Sequence, residues 1–518
     1  MKRFLVLLLA ISTIFVLGAC TEGTSDDSSE SSDTPSSDGE EKDSLVIGFE
    51  ADAETLIANT DVNYVTDAQI SNIYERLIDR DGETGEFIPV LAEEWENIDE
   101  LTWRFKLREG VTFHNGAEFD AESVKYSIDY ILDEENQSFY RSRWTMVEEV
   151  KVISSHEVEV ITSEPAAGLI ERITTDLLIM EPGYIEEVGI EEASKNPVGT
   201  GAYQFVEWSR DNYLKLEAFE DYWQGSPEIK NVEFRYIPEF SARLSAFLSG
   251  EIDMFKNVPV DTVPEIENAE NSQVAEVASS RRNYLALNTF YDGPLQDERV
   301  RQAINYAVDV DELLESILNG HGEKIVGPLA SIHEGYVETK DYGYDSDKAV
   351  ELLKEAGYEP EELELTLETP SGRYPMDSHV AQAIASQLQK IGITVEVQVN
   401  EWGTHLEKIQ NRETKDMFIL GWGPSFDAQS TIEPLFMKDQ PYSSFYDEEL
   451  EDKIKAVNET FDLDERHDGY ADIQHALVDT AAWVPLWQQS DLYAVRENLN
   501  FQPRVDEQIL AYQISWKE

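Results

Sequence analysis

An open α/β sheet spread over more than one lobe is the architecture this sequence predicts, on three observations. Runs of strand length alternate with helix-period segments from residue 231 to 255, and again from 363 to 420. The chain has 518 residues, beyond the size at which a single hydrophobic core keeps growing. It is 41% hydrophobic, with 10 Trp, 23 Tyr and 21 Phe, so it can build several cores despite its charge.

The amino terminus reads as an export signal. Met1, Lys2 and Arg3 precede an apolar stretch from Phe4 to Leu17, closed by Gly18, Ala19 and Cys20. A basic start, a short apolar core and a small-residue site mark a secretory signal whose apolar part is too short to span a bilayer comfortably. Leu17-Gly18-Ala19-Cys20 has the form of a bacterial lipobox. Residues 1–20 are therefore expected to be a lipoprotein signal peptide, with Cys20, the one cysteine, as the lipidated residue. Residues 21–44 hold no large apolar side chain and are crowded with Ser, Asp and Glu, so a disordered acidic tether is expected there.

The charge excludes some partners. There are 105 Asp and Glu against 40 Lys and Arg, a formal net charge of −65 and a pI of about 4.2. The acid runs along the whole length and reads as a solvated surface; it argues against nucleic acid and anionic lipid as partners. It fits a host living in high salt or at high pH.

The body begins with the apolar run Ser44 to Phe49, a buried strand. Leu101, Trp103, Phe105 and Leu107 alternate with polar residues, a half-buried strand, and Asn115-Gly116 marks a turn. Asp120 can cap a helix with Val124, Ile128 and Leu132 on one face. These elements make residues 74–196 an α+β lobe. Residues 231 to 237, 242 to 248 (stopped by Gly250) and 252 to 255 predict strand, helix, strand with a parallel crossover. Leu363 to Thr369 predicts a strand, and Val380, Ile384 and Leu388 a helix ended by Gly392. Ile393, Val395, Val397 and Val399 predict a second strand. A helical stretch from His405 to Gln410 and a third strand from Met417 to Leu420 follow.

In such sheets a ligand sits beyond the carboxyl ends of the strands. Two loops leave those ends, Pro370 to Pro375 and Gly421 to Asp427. Arg373 and Tyr374 on one, and Trp422, Gly423, Ser425 and Asp427 on the other, are the candidate ligand-binding residues. Catalytic chemistry has no comparable signal. The eight histidines form no HExxH pair, no GxSxG or P-loop is present, and no catalytic residue, metal site or cofactor is assigned.

An ordered set of stretches carries a family resemblance. They are WRFKLREGVTFHNGAEFDAESVKYSI (103–128), NPVGTGAYQFVEW (196–208), SGEIDMFKNVP (249–259), LALNT (285–289), DERVRQAINYAVD (297–309), AVELLKEAGY (349–358), QLQKIGITVEVQVNEW (387–402) and DMFILGWG (416–423). Together they resemble the family 5 extracytoplasmic solute-binding lipoproteins of ABC importers, of oligopeptide, dipeptide, glutathione and nickel-binding type. The resemblance implies a two-lobed periplasmic-binding-protein type II fold with an extra α+β domain inserted in the first lobe. Lobe I would comprise 45–73, 197–283 and 490–518, the insertion 74–196, and lobe II 284–489. In peptide-binding relatives an acidic residue three positions after the loop tryptophan holds the ligand amine; here that position is Ser425, with Asp427 the nearest carboxylate. Arg373 matches a carboxylate-binding arginine of dipeptide and glutathione types, and Trp402 an aromatic near the pocket.

The function so implied is non-enzymatic: a lipid-anchored monomer on the outer face of the cytoplasmic membrane captures a small peptide or peptide-like solute and passes it to permease subunits. A nickel–chelator or oligosaccharide ligand is the alternative within the family. A secreted hydrolase is the alternative outside it.

Overall fold

The computed structural model describes residues 42–60, 64–359 and 362–517. The expected signal peptide with Cys20, and the expected tether as far as residue 41, lie outside the described residues. Lys42 and Asp43, assigned to the tether on composition, pack on the body. Lys42 pairs with Asp253 and lies 4.4 Å from the centre of the Trp516 ring, and the Asp43 carbonyl accepts from the Lys230 and Asn231 amides at 2.7 and 3.0 Å. Among the described residues no helix is long and apolar enough to cross a membrane.

An eleven-stranded sheet organises the described residues. In spatial order its path runs through Ile393–Asn400, Leu363–Pro370, Met417–Trp422, Gln273–Leu287, Trp483–Val495, Met254–Lys256, Ser44–Phe49, Asn231–Tyr236, Tyr213–Ala218 and Tyr203–Ser209; the short strand Glu323–Lys324 pairs beside Trp483–Val495. The strand–helix–strand unit at 231–256 forms as expected. Its two strands lie on either side of Ser44–Phe49, both parallel to it. Its helix, Phe240–Ser249, stops at Gly250, whose φ of +87° suits glycine. In the other half, Leu363–Pro370 lies parallel to both Ile393–Asn400 and Met417–Trp422. The helix Asp377–Lys390 buries Val380, Ile384 and Leu388 against this half.

Two long antiparallel strands, Gln273–Leu287 and Trp483–Val495, join the halves. Met254–Lys256 pairs with residues 493–495 of the second, and Met417–Trp422 pairs with residues 282–287 of the first. The strand ending at Lys256 runs toward Asp491. The strand ending at Trp422 runs toward Arg282. Both sets of parallel strands therefore present their carboxyl ends to one zone, where residues 278–282 face residues 488–490. Here the register breaks: Ala278 pairs with Ser490, but Arg282 pairs with Gln488. The extra residues form a bulge, a device that re-aims side chains and bends a strand.

Within residues 74–196 a second sheet forms, with strands Ala92–Asp99, Thr102–Leu107, Glu157–Thr162 and Val147–Ser154 in antiparallel order. Asp120 caps the helix Ala121–Leu132, accepting from the Glu122 and Ser123 amides at 3.0 and 3.2 Å. Phe105, Val124, Ile128 and Trp144 build a core distinct from that of the large sheet.

Near the start of this segment Glu75 is buried. Its carboxylate accepts from Tyr222 Oη at 2.8 Å and Trp223 Nε1 at 3.0 Å. Burial outweighs these bonds and pushes its pKa from 4.5 up to about 7. The folded state therefore holds this proton more tightly than the unfolded state. Its stabilising contribution is complete below about pH 4.5 and disappears as the pH rises through about 7. We predict that Glu75→Gln removes a pH-dependent loss of roughly 3 kcal/mol across that window. Urea melts of both proteins at pH 4.5 and 7.5 check it; parallel curves at the two pH values would contradict it.

Candidate functional site

The zone where the carboxyl ends converge is lined by charge. Lys256, the last residue of its strand, lies 3.1 Å from Asp491 and 3.0 Å from Glu507. From the bulge, Arg281 reaches the other Glu507 oxygen at 2.9 Å, and its Nη1 donates to the Gly421 carbonyl at 3.4 Å. All four charged side chains are buried. Burial alone would raise the Glu507 carboxyl, but Arg281, Lys256 and Arg373 together bring it down to about 2. For Asp491 burial wins over Lys256, and its pKa is raised; for Lys256 the two carboxylates win over burial, and its pKa is raised. Glu507 belongs to a carboxyl-terminal segment tucked against the bulge, where the Ser280 amide donates to the Val505 carbonyl at 2.9 Å.

Arg373, Tyr374 and Trp402 form one group beside this network. The Arg373 guanidinium is half-buried, 5.3 Å from the centre of the Tyr374 ring and 5.2 Å from that of Trp402. Asp377 shapes the loop by accepting from the Arg373 amide at 3.0 Å. Tyr374 Oη donates to the Gly421 carbonyl at 3.3 Å, so this loop and the one after Trp422 are tied together. Burial first, and then Arg281, lowers the Arg373 pKa, while Tyr374, Glu507 and Asp491 oppose that shift. Glu507, on the carboxyl-terminal segment, and Asp491, on the strand Trp483–Val495, thus act on Arg373 from outside its own loop.

The second loop holds its own candidates differently. Gly423 has a φ of +151°, and a Cβ there would come within 2.8 Å of the Arg281 Cα, so backbone meets backbone at this point. Trp422 is half-buried against Tyr442, and its Nε1 donates to the Ser430 carbonyl at 2.9 Å. Ser425 is buried, its Oγ accepting from Arg282 Nη2 at 2.9 Å. Asp427 Oδ1 accepts from the Ser430 amide at 2.6 Å, at the start of the helix Gln429–Phe436. In this structure the hydrogen bonds of Trp422, Ser425 and Asp427 fasten the loop to the body.

A third wall comes from the hairpin Ile78–Arg80 and Phe87–Pro89. Arg80 is buried, ion-paired to Glu171, and sandwiched between the rings of Phe87 at 4.2 Å and Phe426 at 4.5 Å. Sequence reasoning missed Arg80, Lys256, Arg281, Arg282, Asp491 and Glu507. Only Ser279-Ser280-Arg281-Arg282, a polar run inside a strand, carried a readable signal.

This geometry can be set beside known proteins. The model of the bacterial extracellular solute-binding proteins, family 5 (middle), matches residues 86–443. The chain belongs to this family. It is 28% identical over 413 residues to the glutathione-binding protein GsiB of Pectobacterium atrosepticum, covering 77% of this chain and 79% of that protein. The ABC transporter substrate-binding protein CtaP of Listeria monocytogenes superposes with a TM-score of 0.84 at 24% identity, over 92% of this chain and all of that one, 100%. DppA of Helicobacter pylori, solved with the peptide STSA, superposes with a TM-score of 0.79 at 26% identity, over 92% and 98% of the two chains. The family 5 chain thus has the type II periplasmic-binding-protein fold.

Removing one partner of a buried ion network leaves the others uncompensated. We predict that Glu507→Gln destabilises this family 5 protein by about 3 kcal/mol or more near neutral pH. The native carboxyl titrates at about 2 against an ordinary 4.5, so its contribution is present above about pH 4.5 and is lost as the pH falls through about 2. Denaturation of both proteins from roughly pH 6 down to pH 2 should show the gap narrowing; a constant gap would contradict it.

Proposed function

We propose that this chain is the solute-capturing component of an ABC importer, and that it closes on a small peptide or peptide-like solute at the crevice where the carboxyl ends of both strand sets converge. The observation that carries this reading is Arg373, braced by Tyr374 and Trp402 at the end of the strand Leu363–Pro370. A guanidinium there offers a planar, two-pronged site for a ligand carboxylate. The names of GsiB and of DppA with its peptide support the ligand class. Trp402 and the Gly423 backbone supply shape, and exclusion of water from the crevice strengthens the charged contact.

The rest of the arrangement follows from this role. Lobe I is assigned 45–73, 197–283 and 490–518, lobe II 284–489, and the inserted domain 74–196. Closure is a hinge motion about the two long strands, biased by the ligand. A lipid on Cys20 would hold the monomer at the outer face of the membrane, within reach of permease subunits.

A thermal-shift screen of the purified chain in high salt tests the ligand class. The panel holds short peptides, glutathione, nickel with and without histidine, and small oligosaccharides. A ligand that binds only the folded state raises the melting temperature. Stabilisation by peptides is the expected result; stabilisation by the nickel complex or a sugar alone would overturn the peptide reading. With a peptide in hand, Arg373→Ala should weaken binding by about 1.5–3 kcal/mol, the range for a hydrogen bond to a charged group. Unchanged affinity by calorimetry would remove Arg373 from the site.

A further inference from the structure

Arg282 is the most deeply buried cation of the crevice zone, with 0% of its surface exposed. It is the cross-strand partner of Trp422, which places it beneath the loop that follows. Its guanidinium donates to the Ser280 carbonyl, Ser425 Oγ and Thr431 Oγ1, each at 2.9 Å, and meets His333 Nε2. Every one of these partners is neutral, because burial and Arg282 itself hold His333 far below its ordinary pKa. Among the described residues no carboxylate stands within ion-pair distance of Arg282, and its Nε has no hydrogen-bond partner. Two of the nearby acids are engaged elsewhere, Glu507 with Lys256 and Arg281 and Asp491 with Lys256. Asp427, whose Oδ1 holds the Ser430 amide, acts on Arg282 only from beyond ion-pair distance.

A buried positive charge with no carboxylate in ion-pair distance is costly, and in a medium of low polarity its field reaches whatever lies across the loop, where it opposes the pull of the more distant Asp427 on a cation. A second cation there would be repelled, whereas a neutral acyl group or an anion would not. We propose that the loop Gly423–Asp427 rejects a free α-ammonium, and that the preferred solute is a short peptide with a blocked amino terminus and a free carboxylate for Arg373. This refinement rests on the peptide-capture reading given above. Selectivity of this kind comes from a repulsive element built against the competitor, not from an added attraction.

The test uses one mixed-sequence tripeptide library, half of it N-acetylated, offered in competition to the full chain, with the retained peptides read by mass spectrometry. Acetylated members should bind at least tenfold more tightly than their free-amine counterparts. Equal retention, or preference for free amines, overturns the proposal while leaving peptide capture standing. Retention of neither half of the library overturns peptide capture itself. Two variants then locate the source of the preference. Arg282→Met removes the charge; Arg282→Gln also removes it while keeping a hydrogen-bonding head group, which guards against misfolding of the first. Each variant that melts cooperatively should lose at least fivefold of the preference. An undiminished preference in a folded variant shows that the Arg282 charge is not its origin and overturns the proposal.

Discussion

The antiparallel pair formed by Gln273–Leu287 and Trp483–Val495 bears both halves of the large sheet, and a mismatch within that pair sets the position of the crevice. Between Ala278 and Arg282 one strand advances further than its partner. The surplus turns Arg281 toward Glu507 and the Gly421 carbonyl, and sends Arg282 beneath the second loop. Without it the ladder would continue in regular alternation, with its side chains re-aimed. Lys256, Asp491 and Glu507 close around the same break. The charge network is thus a product of register as well as of composition.

That network explains an apparent contradiction. A chain of net charge −65 might be expected to present an acidic cleft. Most of its carboxylates are instead spread along the chain, while Lys256, Arg281, Arg282 and Arg80 are buried together with only a few acids, Asp491, Glu507 and Glu171, as partners. Surface acid is solvated and screened by salt within about 10 Å or less. A buried cation is screened far less. The field at the crevice is set by the few charges withheld from water.

Much of this organisation was legible in the sequence, for a physical reason. Strand and helix periods are local, so Leu363–Pro370, Asp377–Lys390, Ile393–Asn400 and Met417–Trp422 could be ordered by pattern alone, and their carboxyl-end loops followed. Arg373 and Tyr374 lay within that reach because they sit on a loop leaving one of those strands, whereas Trp402 was reached only through the family resemblance. Lys256, Arg281 and Glu507 did not, since their neighbourhood exists only once distant strands are placed side by side. Ser425 illustrates a subtler limit. Its place in the loop was readable, but its inward turn toward Arg282 depends on a residue 143 positions earlier. The boundary of the acidic spacer also moved, because Lys42 and Asp43 find partners on Asp253, Lys230 and Asn231 that composition cannot anticipate.

The broken register has a mechanical side. A regular ladder resists bending because every successive pair must shear together, whereas a bulge leaves a short length in which the pairing is already interrupted. Flexing concentrates there, as a sheet of card folds along a scored line. Arg281 and Arg282 stand on the score itself and donate to Gly421 and Ser425, so the fold line and the loop proposed to face the ligand are fastened by the same two side chains. Any change that stiffens or loosens the fold line would then alter how fast the cargo is released as well as how tightly it is held.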